Sequence, residues 1–309
     1  MNTLPQQLAN GLFLGSMYGL IAIGYTMVYG IVQLINFAHG EIFMTGGFGA
    51  LTVYLVLPDG VSMWIALPAM LVGGALVAVL IAVGAERFAY RPLRGAPRLA
   101  PLITAIGLSL ALQQLVFNLY PNAKAARVFP QLPFGPYHLG SVTVQSGDLF
   151  LIIAAPVCMA ILAFFVRLSR TGRAMQATAQ DPDTAQLMGI DTNRIIVIAF
   201  AIGGLFAAVA GTAYGLKYGS VSYDMGFLAG LKAFTAAVLG GIGNIYGAML
   251  GGLVLGIAEA MATAYIADIP GMHQLGGQGW APVWAFVLLI LVLLFRPQGL
   301  LGERVADRA

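Results

Sequence analysis

The sequence predicts an all-α, polytopic helical membrane protein of about nine segments, or eight to ten where a short Gly-rich element is re-entrant. Three observations predict it. Charged residues are only 9% of the 309-residue chain and hydrophobic ones 59%, whereas soluble domains average roughly 25% charged. The apolar residues collect into runs of span length, enough to cross a hydrocarbon core about 30 Å thick. Arginines gather between alternate runs, as the positive-inside rule expects of loops on one side of a membrane.

The first run, 8–32, has no basic region before it and exceeds a signal-peptide core, so it is a first span. Within it Gly11, Gly15 and Gly19 recur every four residues and open one face to another helix. Residues 33–41 then break the apolar character with Asn36, His39 and Glu41. An ionisable group at mid-bilayer costs about 2.5–3.5 kcal/mol, so this cluster faces protein, a cavity or the interface. It reads either as an interfacial turn or as a contact on a transport path. A thinner second span opens at Gly46, Gly47 and Gly49 and ends at the turn Pro58-Asp59-Gly60. The third, 63–85, leads into Arg87, Arg91, Arg94 and Arg98, a cytoplasmic mark. The fourth, 101–119, crosses outward into 121–147, which reads either as a lip for a soluble partner or as a connector. The fifth, 149–166, returns to Arg167, Arg170 and Arg173.

The stretch 167–194 cannot lie in a membrane, and its chemistry is that of a short helical device. Asp181 can accept a hydrogen bond from a first-turn N–H, and Pro182 sits where a missing N–H costs nothing. Gly189 is a natural C-terminal stop. A helix so short is unstable alone and needs a surface. Ala174, Ala177, Ala179 and Ala185 offer a smooth small-residue face, with Leu187, Met188 and Ile190 as apolar knobs. The segment reads equally as an ordinary loop on the headgroups or as a handle for a cytosolic partner.

A sixth span covers about 195–214. Next, 226–243 carries Lys232 and Thr235 in a run that reads as a short or re-entrant helix, tolerable where it is buried or lines a cavity. It ends in a sharp turn through Gly240, Gly241, Gly243 and Asn244. The string Gly241, Gly243, Gly247 lacks dinucleotide-loop spacing and any βαβ context. A seventh full span, 247–266, holds Glu259, and Lys232 is either its ion-pair partner or a group on the path. The last span is 282–295, with Arg296, Arg304 and Arg308 holding the C-terminus inside. Eleven of the fifteen basic residues then lie on the cytoplasmic side, and nine crossings place the N-terminus outside. Glycines 11, 15, 19, 30, 40 and 47 match 211, 215, 219, 230, 240 and 247, a repeat of unspecified orientation at an offset of 200.

Several chemistries are excluded. Cys158 is the lone cysteine, His39, His138 and His273 are far apart, and no HExxH spacing occurs, so no metal site is expected. Neither a GxSxG motif nor a convincing Ser–His pairing appears, so no catalytic residues are expected. There is no P-loop, so the chain is expected to hold no cofactor, and any ATP is bound by another chain. The net charge of +3 is small, and no nucleic-acid partner is expected.

Four stretches carry a resemblance: GSMYGLIAIGYTMVYGIVQLINFAHGEIFMTGG at 15–47, ERFAYRPLRG at 86–95, RTGRAMQATAQDPDTAQLMGIDTNR at 170–194 and KAFTAAVLGGIGNIYGAMLGGLVLGIAEA at 232–260. In order and spacing they resemble the membrane permeases of bacterial ABC importers for branched-chain amino acids, the LivH type, over about residues 8–301. The resemblance implies a single permease domain, 1–309, in the bacterial inner membrane. It implies a related permease subunit as heterodimer partner, two ATPase subunits, and an extracytoplasmic protein that captures leucine, isoleucine or valine. It also implies that Gly172 to Ile190, within 167–194, is the coupling helix seated on the ATPase, with Gly172, Arg173, Ala174, Ala177, Ala179, Asp181, Pro182, Asp183, Ala185, Gly189 and Ile190 as its candidate residues. Candidates for path or gate are Asn36, His39, Glu41, Lys232, Thr235, Gly240, Gly241, Gly243, Asn244 and Glu259. The alternative is an ion-gradient-driven secondary transporter of small apolar solutes. It would draw on Glu41, Glu86 or Glu259 and have no use for the handle. A passive channel and an intramembrane hydrolase stand further off.

Overall fold

The computed structural model describes residues 4–34, 36–97, 99–133 and 135–302, so Arg98, Arg304 and Arg308 of the arginine pattern lie outside the described residues. Helices dominate because a chain in hydrocarbon must satisfy its own backbone N–H and C=O groups. In order they are α1 (Leu4–Val32), α2 (His39–Val56), α3 (Met63–Gly84), α4 (Leu99–Leu119), α5 (Ser146–Leu168), α6 (Arg170–Gln180), α7 (Pro182–Leu187), α8 (Thr192–Tyr218), α9 (Met225–Gly240), α10 (Ile245–Tyr265) and α11 (Ala281–Phe295). Seven among the described residues are long and apolar enough to cross a membrane. The thinner elements foreseen at 46–57 and 226–243 are α2 and α9, packed among them, and α2 starts earlier than foreseen, so His39 and Glu41 lie in its first turn rather than in a break before it.

Among the described residues, these seven helices and the thinner α2 and α9 lie between two ends. At one lie Arg87, Arg91, Arg94, Arg167, Arg170, Arg173, Arg194 and Arg296; at the far end lie Lys124, Arg127 and Lys217. Contacts fix the ends: Arg94 meets Asn193, Arg167 lies over the Tyr246 ring, and at the far end Lys217 pairs with Asp148. There, too, β1 (Arg127–Val128) pairs with β4 (Ser220–Val221), and the hairpin of β2 (Tyr137–Leu139) and β3 (Val142–Val144) receives Gln6. The foreseen lip or connector is thus tied to α1 and α8.

The packing has an internal two-fold plan. Helices α1 to α4 begin at Leu4, His39, Met63 and Leu99, and α8 to α11 begin at Thr192, Met225, Ile245 and Ala281, 182 to 188 residues later. Exchanging the two sets leaves the pattern of neighbours in place: α1 packs on α9 and α10 as α8 packs on α2 and α3, while α1 meets α8 and α2 meets α9 across the middle. Because α1 and α8 run in opposite directions, the repeats are inverted. This corrects the 200-residue offset, which matches Gly19 inside α1 with Gly219, a left-handed cap at φ +64°. Glycine spacing followed helix contacts rather than repeat register.

Glycine decides how close the helices come. The predicted stripe of Gly11, Gly15 and Gly19 meets α10: a Cβ at Gly256 would stand 2.1 Å from the Gly15 nitrogen. In the other repeat Gly46, Gly74 and Ala208 close the junction of α2, α3 and α8. This places α1 at the centre, 89% buried over its most apolar window, whereas α11 is 11% buried there and sits at the periphery.

Candidate functional site

At the arginine-rich end the chain turns sharply from α5 into α6. The Gly172 N–H donates to Ser169 Oγ at 2.8 Å, capping α6, and a Cβ at Gly172 would stand 2.3 Å from the Val166 carbonyl oxygen. Only glycine fits this elbow. Asp181 caps α7 as foreseen: its Oδ1 accepts from the N–H groups of Asp183 and Thr184, both at 3.0 Å, with Pro182 at the first helical position. Hydrogen bonds from the Thr184 hydroxyl and N–H hold the Asp181 carboxyl below the usual aspartate range. Gly189, at φ +83°, ends α7, and the Ile190 N–H returns to the Ala185 carbonyl at 3.0 Å.

The outer face of α6 and α7 differs in detail from the one foreseen. Ala185 is buried and Ala174, Ala177 and Ala179 are half-buried, so they do not form a bare outer face, and Ile190 packs onto the core. Leu187 and Met188 point outward, 88% and 79% exposed, beside exposed Arg173 and Asp183. Gln186 donates to Thr192 at 2.9 Å, and Asp191 caps α8 through the Arg194 N–H. The Gln186 bond ties α7 to the first turn of α8.

Sequence reasoning missed a strut beside this device. Beyond α3 the chain winds through a π turn, Ala85–Tyr90, and a 3-10 turn, Arg91–Leu93, which bring Arg94 back onto buried Glu86 and across to Asn193 at the start of α8. Pro92 was the visible sign that the helix stops there.

The intramembrane polar residues fall into separate groups. Asn36 Oδ1 accepts from the Tyr90 hydroxyl at 2.6 Å. His39 is wedged where α1 crosses α8, between Gly24 and Gly203, with Tyr25 edge-on at 4.9 Å. Glu41 Oε1 accepts from Ser109 and Gln113 of α4. Thr235 is spent on its own helix, donating to the Leu231 carbonyl. The turn from Gly240 to Asn244 is closed by the chain's tail: Leu300 and Leu301 N–H groups reach the Leu239 and Gly240 carbonyls, and Gly241, at φ +104°, lies against Gly302. Asn244 caps α10 and donates to the Leu301 carbonyl.

Lys232 and Glu259 stand apart from these. They form an ion pair at 2.7 Å on a cavity of about 310 Å³ in the far-end half, lined also by Tyr18, Tyr214, Tyr218 and Asp224. All four were missed, although Tyr214 and Tyr218 share a helix face by their spacing of four.

Comparison with known proteins adds the following. Residues 7–296 match the family described as branched-chain amino acid transport system, permease component. The chain is 46% identical to the high-affinity branched-chain amino acid transport permease BraD of Pseudomonas aeruginosa and 44% identical to LivH of Escherichia coli, each over 98% of this chain and 97% of the relative. It is also 32% identical to LivM of Escherichia coli over 50% of this chain and 34% of that one. Among solved structures it shares the fold of a chain of PsaBC from Streptococcus pneumoniae, with a TM-score of 0.50, 12% identity, and coverage of 94% and 91%.

Proposed function

The chain belongs to the family of branched-chain amino acid transport permeases, and on that premise we propose how it serves an ATP-driven importer of leucine, isoleucine and valine. It is the membrane permease subunit, a multi-pass protein that we assign to the bacterial inner membrane. The observation that carries the reading is the match to two such permeases over nearly the whole of each chain.

The finer assignments follow from chemistry. The arginine-rich end is cytoplasmic by the positive-inside rule, so the C-terminus is inside and the far end faces the binding protein. ATP is bound and hydrolysed by two separate ATPase subunits, and this chain holds no cofactor. The segment from Gly172 to Ile190 is the coupling device: its two capped helices present Leu187 and Met188 to an apolar groove on an ATPase. Its ties to α5 through Gly172 and to α8 through Thr192 carry the push into the membrane. The second permease is a related but different chain, since a LivM chain accompanies LivH among the relatives from Escherichia coli.

The test is leucine uptake into proteoliposomes holding this chain with its partner subunits, with ATP and binding protein each present or omitted. Uptake is expected to need both, and Leu187→Asp with Met188→Asp is expected to abolish it while the chain still inserts. Uptake that persists without ATP and disappears when the ion gradient is collapsed would establish a secondary transporter instead.

A further inference from the structure

Resting on that reading and going beyond it, we infer that Lys232, Glu259 and Tyr18 form a transient binding site for the α-ammonium and α-carboxylate of a neutral amino acid, in the cavity of the far-end half. Lys232 Nζ donates to Glu259 Oε1 at 2.7 Å and to the Tyr18 hydroxyl at 3.2 Å, and that hydroxyl donates to the same Oε1 at 3.3 Å. An ammonium has three N–H donors, so one stays free. Glu259 is 4% exposed, and no donor reaches its Oε2. A buried carboxylate oxygen without a donor is costly unless a ligand supplies one.

Lys232 and Glu259 both line one cavity, so a spare donor lies at its wall and the buried, unpartnered Oε2 is reached from it by rotation of the Glu259 carboxyl. A zwitterion meets both: its carboxylate accepts from Lys232 and its ammonium donates to Glu259 Oε2. The wall mixes polar Ser222 and Gln278 with Leu14, Met17, Met225 and Leu228, against which an apolar side chain can lie, and about 310 Å³ is at the small end of ligand pockets. Asp224 is exposed in the cavity lining and attracts the ammonium end first.

The inverted repeat argues against a merely structural pair. The junction of α9, α10 and α1 that holds Lys232, Glu259 and Tyr18 has its counterpart where α2, α3 and α8 meet, and there Gly46, Gly74 and Ala208 pack without any charge. The fold closes this kind of junction without ions. A buried ion pair recovers its desolvation cost poorly, and replacing both partners by apolar residues is often neutral.

The experiment is ATP- and binding-protein-dependent leucine uptake by the assembled importer. The double variant Lys232→Met with Glu259→Met is expected to co-purify with its partner subunits and to lose uptake at least tenfold. Uptake within twofold of wild type overturns the site. Should the double variant fail to assemble, Glu259→Gln decides, because it is isosteric and still accepts from Lys232 and Tyr18. A tenfold loss is expected, and unchanged uptake overturns the site. A wild-type complex that imports no leucine overturns the importer reading itself, so the wild-type arm separates the two failures.

Discussion

Arg94 shows how much one side chain holds together. It bridges Glu86, which is fully buried, and Asn193, joining the end of α3 to the start of α8 next to α6 and α7. Removing it strands a buried carboxylate, and breaking such a pair costs about 3–5 kcal/mol. Arg94→Met is therefore expected to lower the unfolding temperature of the detergent-solubilised chain clearly. Adding Glu86→Gln should restore much of the loss, because no stranded charge remains. A single variant that melts like wild type would show that the strut carries no load.

Close approach is the main contribution at the scale of the helix. In a membrane no hydrophobic effect separates one apolar helix face from another, so packing contacts decide which helices associate. The contact of α1 with α10 depends on Gly15 and Gly256, since a Cβ at Gly15 would stand 2.6 Å from the Leu253 Cα and 2.9 Å from the Gly252 carbonyl oxygen. These are backbone atoms, and they cannot swing aside. Gly15→Ala is expected to destabilise the chain by about 1–3 kcal/mol through overpacking. Gly84→Ala, at the end of α3 with no atom within 4 Å of the added methyl, is expected to be neutral or stabilising by up to ~1 kcal/mol. Thermal unfolding of both variants in one detergent checks the contrast, and equal midpoints would refute it.

Across the whole molecule, two inverted four-helix sets are joined through α5 and the α6–α7 device, which lies between them in the chain. It touches both sets, since α6 packs on α1 and on α8. With Cys158→Ala as background, Ser141→Cys lies in the far-end hairpin and Asp183→Cys lies on α7. An impermeant thiol reagent applied outside intact cells is expected to label position 141 and not 183, with the reverse in inside-out vesicles. Labelling of 183 from outside would invert the assigned orientation and remove the coupling assignment with it.

Local chemistry by itself determined the class of protein, the approximate place of the long apolar helices though not of α6 or the start of α2, the caps at Asp181 and Gly189, and the value of the Gly11, Gly15 and Gly19 stripe. Hydrophobic run length, cap residues and small-residue spacing are properties of neighbours in sequence. The partner of that stripe, the inversion of the repeats, and the inward turn of Ile190 and the alanine face were decided only by tertiary structure. The same holds for the separation of Asn36, His39 and Glu41 from the cavity of Lys232 and Glu259. The reason is physical: a membrane helix is apolar on its lipid side as well as its protein side, so its sequence does not mark which face is buried. Tyr18 and Glu259, 241 residues apart, meet only because α1 and α10 pack along their glycines.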